Sequence, residues 1–173
     1  MEIAVPGMHW ALASAADLDL AYKFDPILEA TARELLRQEP AVNIGERLAQ
    51  LWKTQTRGAF SVFAGQELLG CFVCDQQLPL VVHMGALLNL KAPLAFDALR
   101  LGLGVVFATG ATEVRFLGFP DDPRLTLAQT LGGRIECVYR GEAQRDGHPA
   151  DVFSVGVQLA DFVKLEAQGE RPN

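Results

Sequence analysis

The sequence predicts an α/β protein with a mixed, mostly antiparallel sheet and helices on both of its faces. Three observations lead there. Amphipathic helical stripes fill the first third of the chain, strand-like segments joined by short turns follow, and a long apolar helical segment separates those strands from a second set. The 173 residues are 50% hydrophobic and 21% charged, enough to bury a core and too few to divide into two ordinary domains. A single domain over residues 1–165 is expected, with a polar, frayed tail over 166–173.

Each element has its own signal. A short first strand is expected near Trp10 to Ala13. Asp17 to Gln38 reads as helix with an internal restart at Asp25-Pro26, aspartate being a favourable N-cap and proline a favourable first helical residue. Ile27, Leu28, Ala30, Leu35 and Leu36 form the apolar stripe of the restarted helix. Asn43 to Thr54 is a further helix, with Ile44, Leu48, Leu51 and Trp52 at helical spacing. Ala59 to Phe63 and Leu68 to Cys74 then form a hairpin about Gly65-Gln66-Glu67, and Leu78 to Leu88, after a polar turn at Asp75-Gln76-Gln77, is a third strand buried on both faces.

Leu94 to Ala108 is apolar nearly all round and reads as an inner helix with Pro93 in its first turn. Phe96, Leu99, Leu103 and Phe107 should face the sheet, and Asp97 and Arg100 should mark its wetter side. Gly102 and Gly104 either admit a close neighbour or end the helix early. Glu113 to Leu117 alternates as a strand does, and Leu125 to Leu131 is a short helix stopped by Gly132-Gly133. Arg134 to Tyr139 and Asp151 to Leu159 close the fold as a hairpin about Asp146-Gly147.

Composition excludes several functions. Fifteen Lys and Arg against twenty-one Asp and Glu leave a net charge of −6, which opposes attraction to phosphate backbones, so no nucleic-acid partner is expected. No apolar run reaches the roughly 20 residues of a membrane span, and Met1-Glu2-Ile3 opens no secretory signal, so no membrane partner and a cytoplasmic setting are expected. No Walker loop, Gly-x-Ser-x-Gly elbow or His-Glu-x-x-His helix occurs. Cys71 and Cys74 lie in a strand-like run, without the further ligands that zinc requires, and read as small packed residues; no metal is expected.

The order of elements, with Val114 to Phe119, Asp121 to Arg134 and the Asp146-Gly147 hairpin, resembles the GNAT-type N-acetyltransferase superfamily over Ala59 to Leu159. The resemblance implies transfer of an acetyl group from acetyl-CoA to an amine on a small molecule or protein. It places the cofactor between the fourth and fifth strands, with contacts at Leu87, Leu88, Asn89 and Lys91. Two departures weaken it. The connection Leu88-Asn89-Leu90-Lys91-Ala92-Pro93-Leu94 lacks the glycines of a pyrophosphate loop, and Pro93 offers no N–H, so acetyl-CoA should bind weakly. The family's tyrosine acid on the fourth helix is replaced by Ala128; the chain's tyrosines are Tyr22 and Tyr139.

A transferase also needs a base to deprotonate its amine. His83 on the third of the central strands is the leading candidate, because an imidazole accepts a proton near neutrality; a packed core histidine is the plainer alternative. Glu113 is the second candidate, as a base or a water-positioner. Asp121 and Asp122 before Pro123 are explained by turn formation and helix capping. His148 is read as a hairpin residue, and His9 has no evident partner. Arg115, Arg124, Arg134, Arg140 and Arg145 give the C-terminal region a basic tint that could serve CoA phosphates or scatter on the surface. The other reading open to the sequence is a catalytically inactive GNAT-fold binding or assembly protein, phage-encoded and virion-associated or forming a homo-oligomer.

Overall fold

The computed structural model describes residues 5–55 and 58–168, apart from the side chains of 51–55, 76 and 77. Seven strands form one sheet in the order β1-β2-β3-β4-β5-β7-β6. They are β1 (Met8–Leu12), β2 (Gly58–Ala64), β3 (Glu67–Leu78), β4 (Val81–Leu88), β5 (Glu113–Gly118), β6 (Arg134–Arg145) and β7 (His148–Gln158). The helices are α1 (Ala15–Ala21), α2 (Pro26–Gln38), α3 (Ile44–Gln55), α4 (Ala95–Ala108), α5 (Pro123–Thr130) and α6 (Leu159–Gln168), with a 3-10 turn over Tyr22–Phe24. β4 and β5 run parallel because α4 crosses between them, while β1/β2, β2/β3, β5/β7 and β6/β7 are antiparallel. The chain divides into two compact units: 5–75 with 86–102, and 76–85 with 103–168.

In the first unit the restart at Asp25-Pro26 is built as the sequence requires. The Asp25 carboxylate accepts from the N–H groups of Ile27 and Leu28, satisfying donors that the first turn of α2 leaves open. Ser14 and Asp17 cap α1 reciprocally in the same way. Leu18, Ala21, Leu68, Cys71 and Leu87 make one buried cluster, and Phe60 stacks on Phe72 at 5.2 Å. His9 does have a partner, stacking on Phe63 at 5.2 Å. Leu51 and Trp52 of the expected α3 stripe lie outside the described side chains.

The turn expected at Asp75-Gln76-Gln77 is instead strand: β3 runs on to Leu78, and the reversal occurs at Pro79-Leu80, where proline costs no ladder hydrogen bond. β4 is not buried on both faces along its length. Val82 and Met84 are buried, His83 is half-buried and Gly85 exposed, so its first half alternates as a one-sided strand does.

Of the apolar stripe expected on α4, Leu99 and Leu103 are fully buried and Phe107 nearly so, while Phe96 is half-buried. Gly102 continues the helix rather than ending it; a Cβ there would meet the Phe72 ring at 3.1 Å, so the glycine admits a close neighbour. Asp97 departs from expectation. It is only 8% exposed, because α4 is buried nearly all round and leaves its first turn no wet side. Pro93 stands before the helix and not in its first turn.

In the second unit, Asp122 caps α5 by accepting from the Arg124 N–H, which confirms the capping assignment. Asp146 and Gly147, at φ of 53° and 79°, form the tight turn between β6 and β7, both strands running longer than their sequence cores. A helix, α6, follows β7 and continues through Glu166 to Gln168, where the sequence suggests fraying. Phe162 anchors it, fully buried and 5.3 Å from the Phe107 ring.

Candidate functional site

Strand alternation sorts the second unit's sheet into two faces. Val114 and Phe116 of β5 stand opposite Val157 and Val155 of β7, all buried. This is the face on which α5 packs: at Gly133, just past that helix, a Cβ would lie 2.7 Å from the Ala128 carbonyl oxygen and 2.8 Å from Val155. The other face is polar. Glu113 stands opposite Gln158, Arg115 opposite Gly156, and His83 of β4 level with Arg115 in the parallel pairing.

Glu113, Arg115, Glu136 and Gln158 form a network. The Arg115 guanidinium donates to Glu113 and lies 3.1 Å from the Glu136 carboxylate, while the Gln158 amide donates to the second Glu113 oxygen at 2.7 Å. Gly156 makes it possible, since a Cβ there would collide with the Glu136 carboxyl group. The Glu113 side chain is 12% exposed and those of Arg115 and Glu136 are 31% and 29% exposed, so the group is partly desolvated yet reachable. Burial pushes the Glu113 carboxyl upward, but the hydrogen bonds from Arg115 and Gln158 and the Arg115 charge outweigh it and hold the group below the usual glutamate range. A carboxylate so engaged is a poor proton acceptor and a good source of fixed negative charge. With two carboxylates about one guanidinium, the network carries one net negative charge.

The sequence points to His83 and Glu113 as site residues and to Arg115 only as one of several arginines for CoA phosphates; Glu136 and Gln158 carry no such signal. Two signals were present: opposite charges two apart in Glu113-Val114-Arg115 share a strand face, and a glycine within Val155-Gly156-Val157 marks close approach.

The stretch implied to hold CoA lies in the first unit. Leu87 and Leu88 are buried, Asn89 is half-buried and Lys91 is exposed, with no ion pair among the described residues. Four backbone donors of the turn and helix start are engaged. The Asn89 N–H bonds the Leu69 carbonyl at 2.8 Å, Lys91 N–H the Asn89 side-chain oxygen at 3.2 Å, Ala92 N–H the Asn89 carbonyl at 3.0 Å and Ala95 N–H the Ala92 carbonyl at 3.1 Å. Pro93 has none to give. In the first turn of α4 sits Asp97, its Oδ1 buried without a hydrogen bond and 3.6 Å from the Arg100 guanidinium. That carboxylate occupies the positive end of the helix dipole, where an anion would otherwise bind. Pro93 and the Asp97 carboxylate make this turn a poor cradle for a pyrophosphate.

Most of the arginines near the C-terminus are paired locally, while Arg140 is exposed. Arg124 pairs with Asp122, Arg134 with Asp161 and Arg145 with Asp121, at 2.6 to 3.0 Å. Ala128, at the position of the family's tyrosine, is fully buried, and Tyr139 is 39% exposed on β6. His148 is an exposed residue at the start of β7, beside the hairpin turn. Burial pushes the Cys71 and Cys74 thiols up to about 11 and about 12, so both are inert; Cys71 contacts the Ser61 hydroxyl at 3.2 Å. No group of metal-binding side chains occurs among the described residues, and no described helix is long and apolar enough to cross a membrane.

Comparison with solved structures shows the GNAT-type N-acetyltransferase fold. A point mutant of the spermidine N-acetyltransferase SpeG from Vibrio cholerae superposes with a TM-score of 0.69 at 11% identity, covering 94% of this chain and 99% of that one. Mycobacterium smegmatis RimJ in complex with CoA-disulfide gives 0.65 at 15% identity, covering 94% and 89%. The ribosomal-protein-S5-alanine acetyltransferase of Vibrio fischeri gives 0.62 at 14%, covering 94% and 98%. No family model and no curated sequence matches the chain.

Proposed function

We propose that this chain is a GNAT-fold binding protein that recognises a cationic amine on the polar face of β4, β5, β7 and β6 and lacks a ready-made cradle for the CoA pyrophosphate. The observation that carries this reading is the Glu113–Arg115–Glu136–Gln158 network: fixed, partly desolvated negative charge attracts an ammonium group without any chemical step. Spermidine, named for the Vibrio cholerae structure, is the first probe. Calorimetry should detect its binding, and Glu136→Gln should weaken it by about three- to tenfold, the value of one partly exposed charged contact. Absence of spermidine binding, or affinity unchanged in that variant, contradicts the reading.

A second reading, acetyl transfer from acetyl-CoA to an amine, is favoured by the strand register that sets His83 level with Arg115. In that reading His83 accepts the amine proton, Glu113 orients the amine, and Leu87, Leu88, Asn89 and Lys91 contact the cofactor. His83→Asn should then lower turnover by ~10²-fold with little change in amine binding. Turnover within twofold of the parent would remove His83 from the chemistry.

A further inference from the structure

The Tyr22–Phe24 turn, α2 and α3 leave an apolar cavity of about 170 Å³ within the first unit. Its walls are chiefly Leu28 and Leu35 of α2 and Ile44 and Leu48 of α3, with Tyr22 and Ala32 completing the buried end. The cavity opens to solvent, and its volume is comparable to that of an apolar cavity that accepts a benzene-sized molecule. Volume and lining therefore fit a small hydrocarbon body.

The charge about the cavity specifies the head group. Among the described residues no acidic side chain lines it, and Arg47 is the one charged wall residue. Arg47 is exposed and makes no ion pair among the described residues, whereas Arg33 and Arg37 on α2 are paired with Glu29 and Glu34. A second cation stands close by, the Lys23 ammonium over the Tyr22 ring at 5.5 Å. Nearby acidic groups are engaged elsewhere: Asp25 caps α2, and Asp19 accepts from the Gly45 N–H. Thr31 donates its hydroxyl to the Ile27 carbonyl, and Arg47 carries the charged donor of the lining. In a chain of net charge −6, two cationic residues, Arg47 in the lining and Lys23 over the Tyr22 ring, accompany this apolar cavity.

We infer that this cavity binds a small hydrophobic monocarboxylate, with its aliphatic or aromatic body between α2 and α3 and its carboxylate at Arg47. The site shares no residue with the amine-binding network, and its ligand has the opposite charge.

Protein-observed NMR titrations of the whole chain with hexanoate, benzoate, hexanol and hexylamine test this. At least one carboxylate should shift the methyl signals of Leu28, Leu35, Ile44 or Leu48 in a saturable way, and hexylamine should bind more weakly than hexanoate. Arg47→Gln, a change at an exposed position, should reduce carboxylate affinity by at least about threefold while leaving hexanol unaffected. Ala32→Leu, which fills the cavity, should reduce binding of all four compounds. No saturable shift with either carboxylate at about 10 mM, hexylamine binding as tightly as hexanoate, or unaltered carboxylate affinity in Arg47→Gln would each overturn the inference. If Ala32→Leu does not fold, the Arg47→Gln comparison decides alone.

Discussion

At the scale of single residues, the polar network and the thiols give sharp expectations. The folded chain holds the Glu113 carboxyl below its ordinary value of 4.5, so the unfolded chain binds a proton there that the folded chain refuses. Stability from this residue is fully present above about pH 5 and is lost as pH falls through the lowered folded value. Urea unfolding between pH 3 and 7 should show a shallower acid-side slope for Glu113→Gln than for the parent; equal slopes would mean that Glu113 is not held as described. The thiols provide a second check. Cys137 is exposed, whereas burial raises the Cys71 and Cys74 thiols to about 11 and about 12. Titration with an aromatic disulfide at pH 8 should find one fast thiol, removed by Cys137→Ser, and two that react only on unfolding. Much of this was hidden in the sequence. His83 and Glu113 could be named from strand position alone, but the partner Glu136 reaches Arg115 across β7, and only the missing side chain of Gly156 hints at that approach.

Secondary-structure elements make their demands through packing. Leu99 of α4 is fully buried, so Leu99→Asp should cost several kcal/mol, a large fraction of an ordinary domain's stability. Gly102→Ala sets two effects against each other. Helix propensity favours alanine by about 1 kcal/mol, but a Cβ 3.1 Å from the Phe72 ring brings an overpacking cost of ~1–3 kcal/mol. Net destabilisation is expected in thermal unfolding, and a stabilised variant would show that the ring moves freely. Element identity was legible wherever period and punctuation agreed, as at Asp25-Pro26 and Asp146-Gly147. It failed where polar residues occur inside regular structure. Asp75 to Gln77 continue β3, and α6 hides its Leu159, Phe162 and Leu165 spacing among polar neighbours. Asp97 misled for the opposite reason: a carboxylate on a helix ordinarily marks the wet side, and α4 has none at that turn.

For the molecule as a whole, the GNAT-type fold is present at 11–15% identity to the structures compared above, so fold and ligand must be argued separately. Strand order, the α4 crossover and the closing hairpin were all carried by hydrophobic pattern, which tolerates wide sequence change. A pyrophosphate site depends instead on a few unengaged N–H groups at a helix start. Here Asn89, Lys91, Ala92 and Ala95 spend theirs internally, Pro93 has none, and Asp97 occupies the helix end with negative charge. The most direct measurement is calorimetric titration of the intact chain with acetyl-CoA. A dissociation constant weaker than about 100 µM, or no heat at all, is expected; sub-micromolar binding, about 3 kcal/mol or more tighter, would contradict this and restore a competent cofactor site.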